Sequence, residues 1–348
     1  MSQIFLSPQI PDLLILWYRE NARDLPWRRD CEPYRVWLSE IMLQQTRVET
    51  VIPYYERFLA ELPTIRALAA SSDEKLYKLW EGLGYYSRAR NLQAAAQAIE
   101  ERYGGIFPTD HNDILTLPGV GPYTAGAIAS ICFGARTPAV DGNVLRVVAR
   151  LAELAADIGS QAVKKAVGSA LAAIYPDADD LWPGDFTQAL MELGATVCLP
   201  NGPPRCLACP LNKICAACTN GAAERYPVKA PKNARKVEDL SVFLLRCKGA
   251  LAVRRRPKTG LLGGLWELPN VAGAFDERRA LEVAASWGVR PDGLSASYMR
   301  KHVFTHIEWR MTCYAVNCQM QSTFFDWATG DDLETRYTLP TAFRRCLK

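Results

Sequence analysis

A mainly helical amino-terminal domain followed by a smaller α+β domain is the fold that this sequence predicts, and three observations carry the prediction. From about residue 11 to residue 225, apolar side chains recur at spacings of three and four, with frequent Ala, Leu and Glu, which is the helical period. Between 226 and 238 the texture changes to Pro227, Pro231 and a run of Lys and Arg with little apolar content, the composition of a linker. Beyond it, short runs of apolar and β-branched residues read as strands. A chain of 348 residues is longer than one hydrophobic core usually supports. The expected division is therefore 1–225, a linker at 226–238, and 239–348.

Within the first part, helices are expected over 12–21, 34–46, 51–58, 73–79, 87–103, 122–133, 143–152, 161–172 and 184–193. Breakers such as Leu83-Gly84, Gly104-Gly105, Pro118-Gly119 and Pro176 separate them. In the second part, strands are expected over 240–246, 250–255 and 307–317, with a helix at 275–287. The apolar run at 13–18 is too short and too quickly charged for a signal or a membrane span, so a cytoplasmic protein with no membrane partner is expected. Eleven cysteines in such a setting point to free or metal-binding thiols rather than a disulfide framework. The 41 basic residues only modestly exceed the 37 acidic ones. That balance permits a polyanionic partner, and nucleic-acid binding has to rest on motifs.

Four of the cysteines, Cys198, Cys206, Cys209 and Cys215, fall within eighteen positions, in a stretch made loop-like by Pro200, Gly202, Pro203, Pro204 and Pro210. Four thiolates on a short loop suit a [4Fe-4S] cluster. A structural zinc is the alternative, but zinc ribbons pair two CxxC knuckles across a long gap, and here one CxxC is flanked by single cysteines. Cys218 lies close by as a spare thiol or an alternative fourth ligand.

The segment Leu117-Pro-Gly-Val-Gly-Pro-Tyr-Thr-Ala-Gly126 joins two helical stretches through a tight turn. Gly119 and Gly121 let backbone N–H groups approach a ligand, and Pro122 suits the first position of the following helix. Amides at such a helix start attract an anion, with a DNA phosphate the natural candidate. Ala125, Gly126, Ala127 and Ala129 keep that helix narrow. About twenty residues on, Val140-Asp-Gly-Asn143 precedes an amphipathic helix, where Asp141 or Asn143 taken alone reads as a helix cap. Upstream, Glu40 has Val36, Trp37 and Leu43 as helical neighbours, surroundings that raise a carboxyl pKa and suit a proton donor near neutral pH.

Together with the block Leu38-Ser-Glu-Ile-Met-Leu-Gln-Gln-Thr46 and with Gly82-Leu-Gly-Tyr-Tyr-Ser-Arg88, these motifs resemble the helix–hairpin–helix glycosylases of the endonuclease III superfamily, and within it the MutY-type adenine DNA glycosylases. The resemblance implies a helix–hairpin–helix glycosylase domain with a [4Fe-4S] loop on Cys198, Cys206, Cys209 and Cys215. Seven residues separate the first two cysteines where that family has six, which puts the first ligand in doubt. It further implies that Glu40 protonates adenine, that Asp141 is the carboxylate facing the sugar with Asn143 assisting, and that Gln45, Tyr85, Arg28, Gly119 and Gly121 contact DNA, Tyr85 by stacking. Bifunctional relatives hold a lysine that forms a Schiff base where this chain has Tyr123, and no lysine occurs between Lys78 and Lys164. A monofunctional glycosylase is therefore expected, with Tyr123 among its catalytic residues.

The tail resembles the Nudix-like domain of the same family, chiefly through Gly260-Leu-Leu-Gly-Gly-Leu-Trp-Glu-Leu-Pro269. A glutamate-rich metal box is missing, since Ala280–Gly288 holds only Glu282. His302-Val-Phe-Thr-His306 resembles the element that inspects 8-oxoguanine, which assigns Phe304, Thr305 and His306 to DNA contact, with Thr305 in place of the usual serine. The implied partner is duplex DNA carrying adenine opposite 8-oxoguanine or guanine, bound by a monomer that associates with the nucleoid. Two alternatives stand beside this reading: an endonuclease III type pyrimidine glycosylase/lyase, and a catalytically silent DNA-binding iron–sulfur protein.

Overall fold

A computed structural model describes residues 4–177, 182–231 and 234–347. It divides into two compact units, one of Met1–Ala70 with Asn91–Pro231, the other of Ser71–Arg90 with Lys232–Lys348.

The first unit is helical. Helix Pro33–Leu43 begins with Glu32, whose carboxylate accepts hydrogen bonds from the Tyr34 and Arg35 amides, and its residues from Val36 to Met42 are all buried. It ends three residues before the expected position, because Gln45 turns into the left-handed region at φ 59°, a conformation no α-helix accommodates. The next helix, Val48–Glu61, starts earlier than expected. Three short helices, Ile65–Ala69, His111–Leu115 and Ala216–Thr219, went unforeseen, since five residues or fewer give the helical period too little room. Helix Pro122–Phe133 matches its expected span. A Cβ on Gly126 within it would lie 2.5 Å from the Pro138 carbonyl oxygen, so the narrow face is a true close approach. Helix Gly142–Leu151 runs through the core, where Val144, Val147, Val148 and Leu151 cluster with Leu14, Ile15, Phe186, Leu190 and Leu193.

The second unit is a seven-stranded sheet: β1 (Lys236–Cys247), β2 (Ala250–Arg255), β3 (Trp266–Glu267), β4 (Asn270–Ala272), β5 (Pro291–Val303), β6 (Ile307–Cys318) and β7 (Asp326–Ala328). Their order is β3-β2-β1-β6-β5, with β4 on β1 and β7 on β2. β1 and β6 run parallel, from Lys236 opposite Ile307 to Arg246 opposite Asn317. β1 thus begins inside the stretch whose composition reads as linker, of which residues 232–233 lie outside the described ones. β5 escaped the sequence reading because it is an edge strand that exposes most of its side chains, so it lacks the clean alternation that marks a half-buried strand. Helix Glu277–Ser286, capped by Asp276, buries Ala280 and Ala284 against Phe243 and Tyr314.

Helix Asp73–Trp80 and the turn after it belong to this second unit. Arg344 Nε donates to Glu81 Oε1 at 2.6 Å, Lys78 Nζ to the Leu333 carbonyl at 3.3 Å, and Arg90 to the Gly263 carbonyl. A span that the helical pattern alone assigns to the first domain is fastened by polar side chains to the sheet-bearing unit. Among the described residues, no helix is long and apolar enough to cross a membrane.

Candidate active site

Glu40 sits on the buried helix Pro33–Leu43, with only 6% of its surface exposed. Burial among apolar neighbours pushes its carboxyl up to about 7, because a low-dielectric surrounding penalises the charged form. The Asp141 charge pushes the same way, while a hydrogen bond from Tyr123 and the Arg28 guanidinium oppose it. Tyr123 Oη donates to Glu40 Oε2 at 2.5 Å. Its own pKa is driven further up by burial and by the two carboxylates, so it remains a neutral donor.

Asp141 is the N-cap of helix Gly142–Leu151, and its Oδ1 accepts the Val144 amide at 2.7 Å. Its other oxygen accepts from Asn143 Nδ2 at 2.9 Å. Its pKa is raised, because burial outweighs these hydrogen bonds and the Arg146 charge, which pull the other way. The capping role that the local sequence suggests is therefore real, yet it leaves the carboxylate facing the Glu40 cavity. That cavity has a volume of about 730 Å³, and Glu40, Gln45, Gly119, Gly121, Tyr123, Asp141 and Asn143 all line it. Gln45 is exposed, while Gly119 adopts φ 75° and a Cβ there would meet Asn91 Cβ at 2.5 Å. Gly121 caps helix Pro122–Phe133 with open space around it.

Arg28 also lines the cavity, but its guanidinium is engaged by Glu192 Oε2 at 2.8 Å. Glu192, fully buried, takes Arg23 as well, at 2.6 and 2.8 Å. Its pKa is lowered, the two arginines outweighing the burial that favours the neutral acid. Neither Glu192 nor Arg146 is among the residues singled out by motif. Arg146, nearly buried, donates to Asn143 Oδ1 at 2.8 Å, the Gly194 carbonyl at 2.6 Å and the Cys198 carbonyl at 2.7 Å. Arg146 stands on the face of its helix opposite Val144, Val147, Val148 and Leu151, so the helical pattern alone reads it as solvated.

The five cysteines Cys198, Cys206, Cys209, Cys215 and Cys218 line one small cavity with Val147, Leu151, Leu193, Val197 and Leu211. Arg150 Nη1 donates to Cys198 Sγ at 3.2 Å and to the Leu199 carbonyl at 2.9 Å. A thiolate donor set in an apolar shell with a neighbouring guanidinium fits an anionic iron–sulfur cluster. Among the described residues, no group of three or more His, Cys, Asp or Glu side chains is drawn together as for a single metal ion.

In the sheet-bearing unit, Tyr85 is 45% exposed and adopts φ 47°, an uncommon backbone for a bulky residue. Its hydroxyl lies 3.0 Å from Thr305 Oγ1. Thr305 and His306 are exposed, whereas Phe304 packs edge-on against His302 and Trp309 at 4.5 and 4.8 Å.

Residues 38–172 match the family model described as HhH-GPD superfamily base excision DNA repair protein, and residues 241–348 match that of the NUDIX domain. A human protein named adenine DNA glycosylase is 35% identical over 403 aligned residues, covering 96% of this chain and 72% of the human one. The chain belongs to the adenine DNA glycosylase family. Among solved structures, a thermostable thymine-DNA glycosylase is 27% identical, with a TM-score of 0.53, over 60% of this chain and 95% of its own. Endonuclease III in a non-covalent DNA complex is 24% identical with a TM-score of 0.51, over 62% and 99%, and shares the fold. Glu40, Tyr123 and Asp141 bring two carboxyls and a phenol together in one cavity.

Proposed function

We propose that the chain is a monofunctional adenine DNA glycosylase that removes adenine opposite 8-oxoguanine or guanine from duplex DNA, acting as a monomer. The observation that carries this reading is a buried carboxyl raised to about 7, Glu40, sharing a cavity roomy enough for a nucleotide with a second carboxyl, Asp141. Glycosidic cleavage passes through an oxocarbenium-like state, so one group must protonate the leaving base while another stabilises the cationic sugar. Glu40, about half protonated at pH 7 with its carboxyl raised to about 7, gives its proton to adenine. Asp141, whose two oxygens accept from the Val144 N–H and the Asn143 amide, faces the sugar. The adenine must leave the stack to enter the cavity, at a cost of a few kcal/mol offset by DNA binding. Gly119 and Gly121 present amides to a phosphate there, and Gln45 lines the same cavity. Tyr123 brings no amine, so no Schiff base forms and the strand stays intact at the abasic product.

Cys198, Cys206, Cys209 and Cys215 would hold a [4Fe-4S] cluster. Bound there, it supplies iron–thiolate bonds that lock the loop 198–215 against helix Gly142–Leu151. Phe304, Thr305, His306 and Tyr85 form the 8-oxoguanine-reading group, for which the exposed Tyr85–Thr305 pair is the support. The deciding experiment is single-turnover cleavage of duplexes carrying A opposite 8-oxoguanine, with and without alkali. Breaks only after alkali are expected. Breaks without alkali would point to a lyase of the endonuclease III type, and binding without base release to a silent DNA-binding protein.

A further inference from the structure

A second cavity of about 920 Å³ lies across the catalytic loop from the first, and the two share Pro122, Tyr123, Val140, Asp141 and Gly142 as walls. Its far side is basic, lined by Lys164, Lys165 and Lys229. Lys164 and Lys165 stand on the first turn and a half of helix Gln161–Ala172. Lys229 comes from the stretch whose composition reads as linker, and it is held in place by backbone pairing. The Ile158 amide donates to the Val228 carbonyl at 3.1 Å. Asp157 Oδ1 accepts the Ala230 amide at 3.2 Å and the Gly159 amide at 2.9 Å. Asp157 also lines the cavity, but that oxygen is committed to the two amides. No ion pair within 4 Å engages the three lysines among the described residues. Those amides lower the Asp157 pKa, and Lys164 helps through its charge. The three ammonium groups together give the wall an excess of positive charge beside Asp141.

We propose that this cavity seats phosphodiesters of the DNA strand carrying the target nucleotide, on the side of Asp141 away from the base-binding cavity. The inference rests on the glycosylase reading: the sugar of the extruded nucleotide has to reach Asp141, so its backbone must continue past the shared wall. The base cavity offers amides of the hairpin turn on one side of that sugar, and the lysines supply cationic seats on the other. Lysine suits the task because each ammonium that neutralises a phosphate releases condensed counterions whatever the base sequence.

The test is the salt dependence of binding to a duplex containing A opposite 8-oxoguanine, measured on the full chain. Replacing Lys164, Lys165 and Lys229 together by Gln should reduce the slope of log K against log salt by about 0.9 for each phosphate no longer neutralised, or about 2.7 in all. The charge-keeping triple Lys→Arg variant should retain the wild-type slope. Removing three charges from Arg19, Arg57 and Arg66, none of which lines either cavity, should also leave it unchanged. A wild-type slope in the Gln variant, or an equally reduced slope in the Lys→Arg variant, would overturn the proposal. Competition by inorganic phosphate at constant ionic strength with an unaltered DNA slope would assign the cavity to free phosphate, and overturn it too. Failure here with intact adenine release would leave the glycosylase reading standing, whereas absence of adenine release by the wild type would remove that reading.

Discussion

Tyr123 donates to Glu40 across 2.5 Å, joining residues eighty-three positions apart. This bond favours the carboxylate, whereas burial favours the acid, and burial wins because Glu40 rises to about 7. If protonated Glu40 delivers the proton, the single-turnover rate should be level below about pH 7. Above it the rate should fall, approaching tenfold per pH unit. Tyr123→Phe removes the group that favours the charged form, so the midpoint of that fall should move to higher pH. A midpoint that moves down or stays put would show that Tyr123 does not set the acidity of Glu40.

Tyr123→Lys places an amine on the first turn of helix Pro122–Phe133, beside both carboxylates. Weak strand cleavage without alkali should appear, together with a protein–DNA adduct trapped by borohydride, because the amine can attack the sugar carbon. Absence of any trapped adduct in a variant that still releases adenine would mean that position 123 does not reach the sugar.

Glu40, Tyr123 and Asp141 were legible through the family resemblance of three motifs, not from local physics alone, since Asp141 by itself reads as a helix cap. All three lie in short segments whose local structure is set by neighbouring residues: Pro at a helix start, Gly in a turn, Asp at a cap. The partners that hold them were less legible. Glu192 gathers Arg23 and Arg28 from more than 160 positions away, and no local period signals such a pairing. The placement of residues 71–90 with the sheet rests on Arg344–Glu81 and Lys78–Leu333, both over 250 positions apart. The exposed edge strand β5 was hidden because an edge needs only half an apolar pattern.

The Tyr85–Thr305 contact makes a point substitution a cleaner test of the sheet-bearing unit than truncation, which would strip residues 71–90 of their partners. Thr305→Val keeps the shape and removes the hydroxyl. A missing hydrogen bond is worth about 0.5–1.5 kcal/mol, so the preference for 8-oxoguanine over guanine opposite adenine should fall by a few-fold to about tenfold. Equal effects on the two substrates, in binding and in single-turnover rate, would assign Thr305 a merely structural part.

Freshly purified protein should be brown and carry about four irons per chain on the loop 198–215. Cys209→Ser should bleach it and release the loop to proteolysis. Cys218→Ser should keep both colour and iron if Cys218 is the spare thiol. Stoichiometric zinc without iron in the isolated wild type would overturn the cluster assignment.

Glu40→Gln should abolish adenine release, by at least the usual contribution of a general acid, about 10²–10⁴ in rate, while leaving binding to the mispair largely intact. Gln keeps the size of the side chain and still accepts from Tyr123, but it has no proton to give. The same substitution should stabilise the fold in a pH-dependent way. The native Glu40 carboxyl rises from an ordinary 4.5 to about 7, so between those values the folded state binds the proton that the unfolded chain has released, and stability falls as pH rises. The penalty is absent below about pH 4 and complete above about pH 7, where it reaches about 3 kcal/mol. Thermal melts of the two proteins should therefore coincide near pH 4, with the Gln variant melting several degrees higher at pH 8. Identical melts at both pH values would mean that Glu40 titrates as an ordinary carboxylate. Near-normal cleavage by the Gln variant, measured separately, would sink the assignment of Glu40 as the acid.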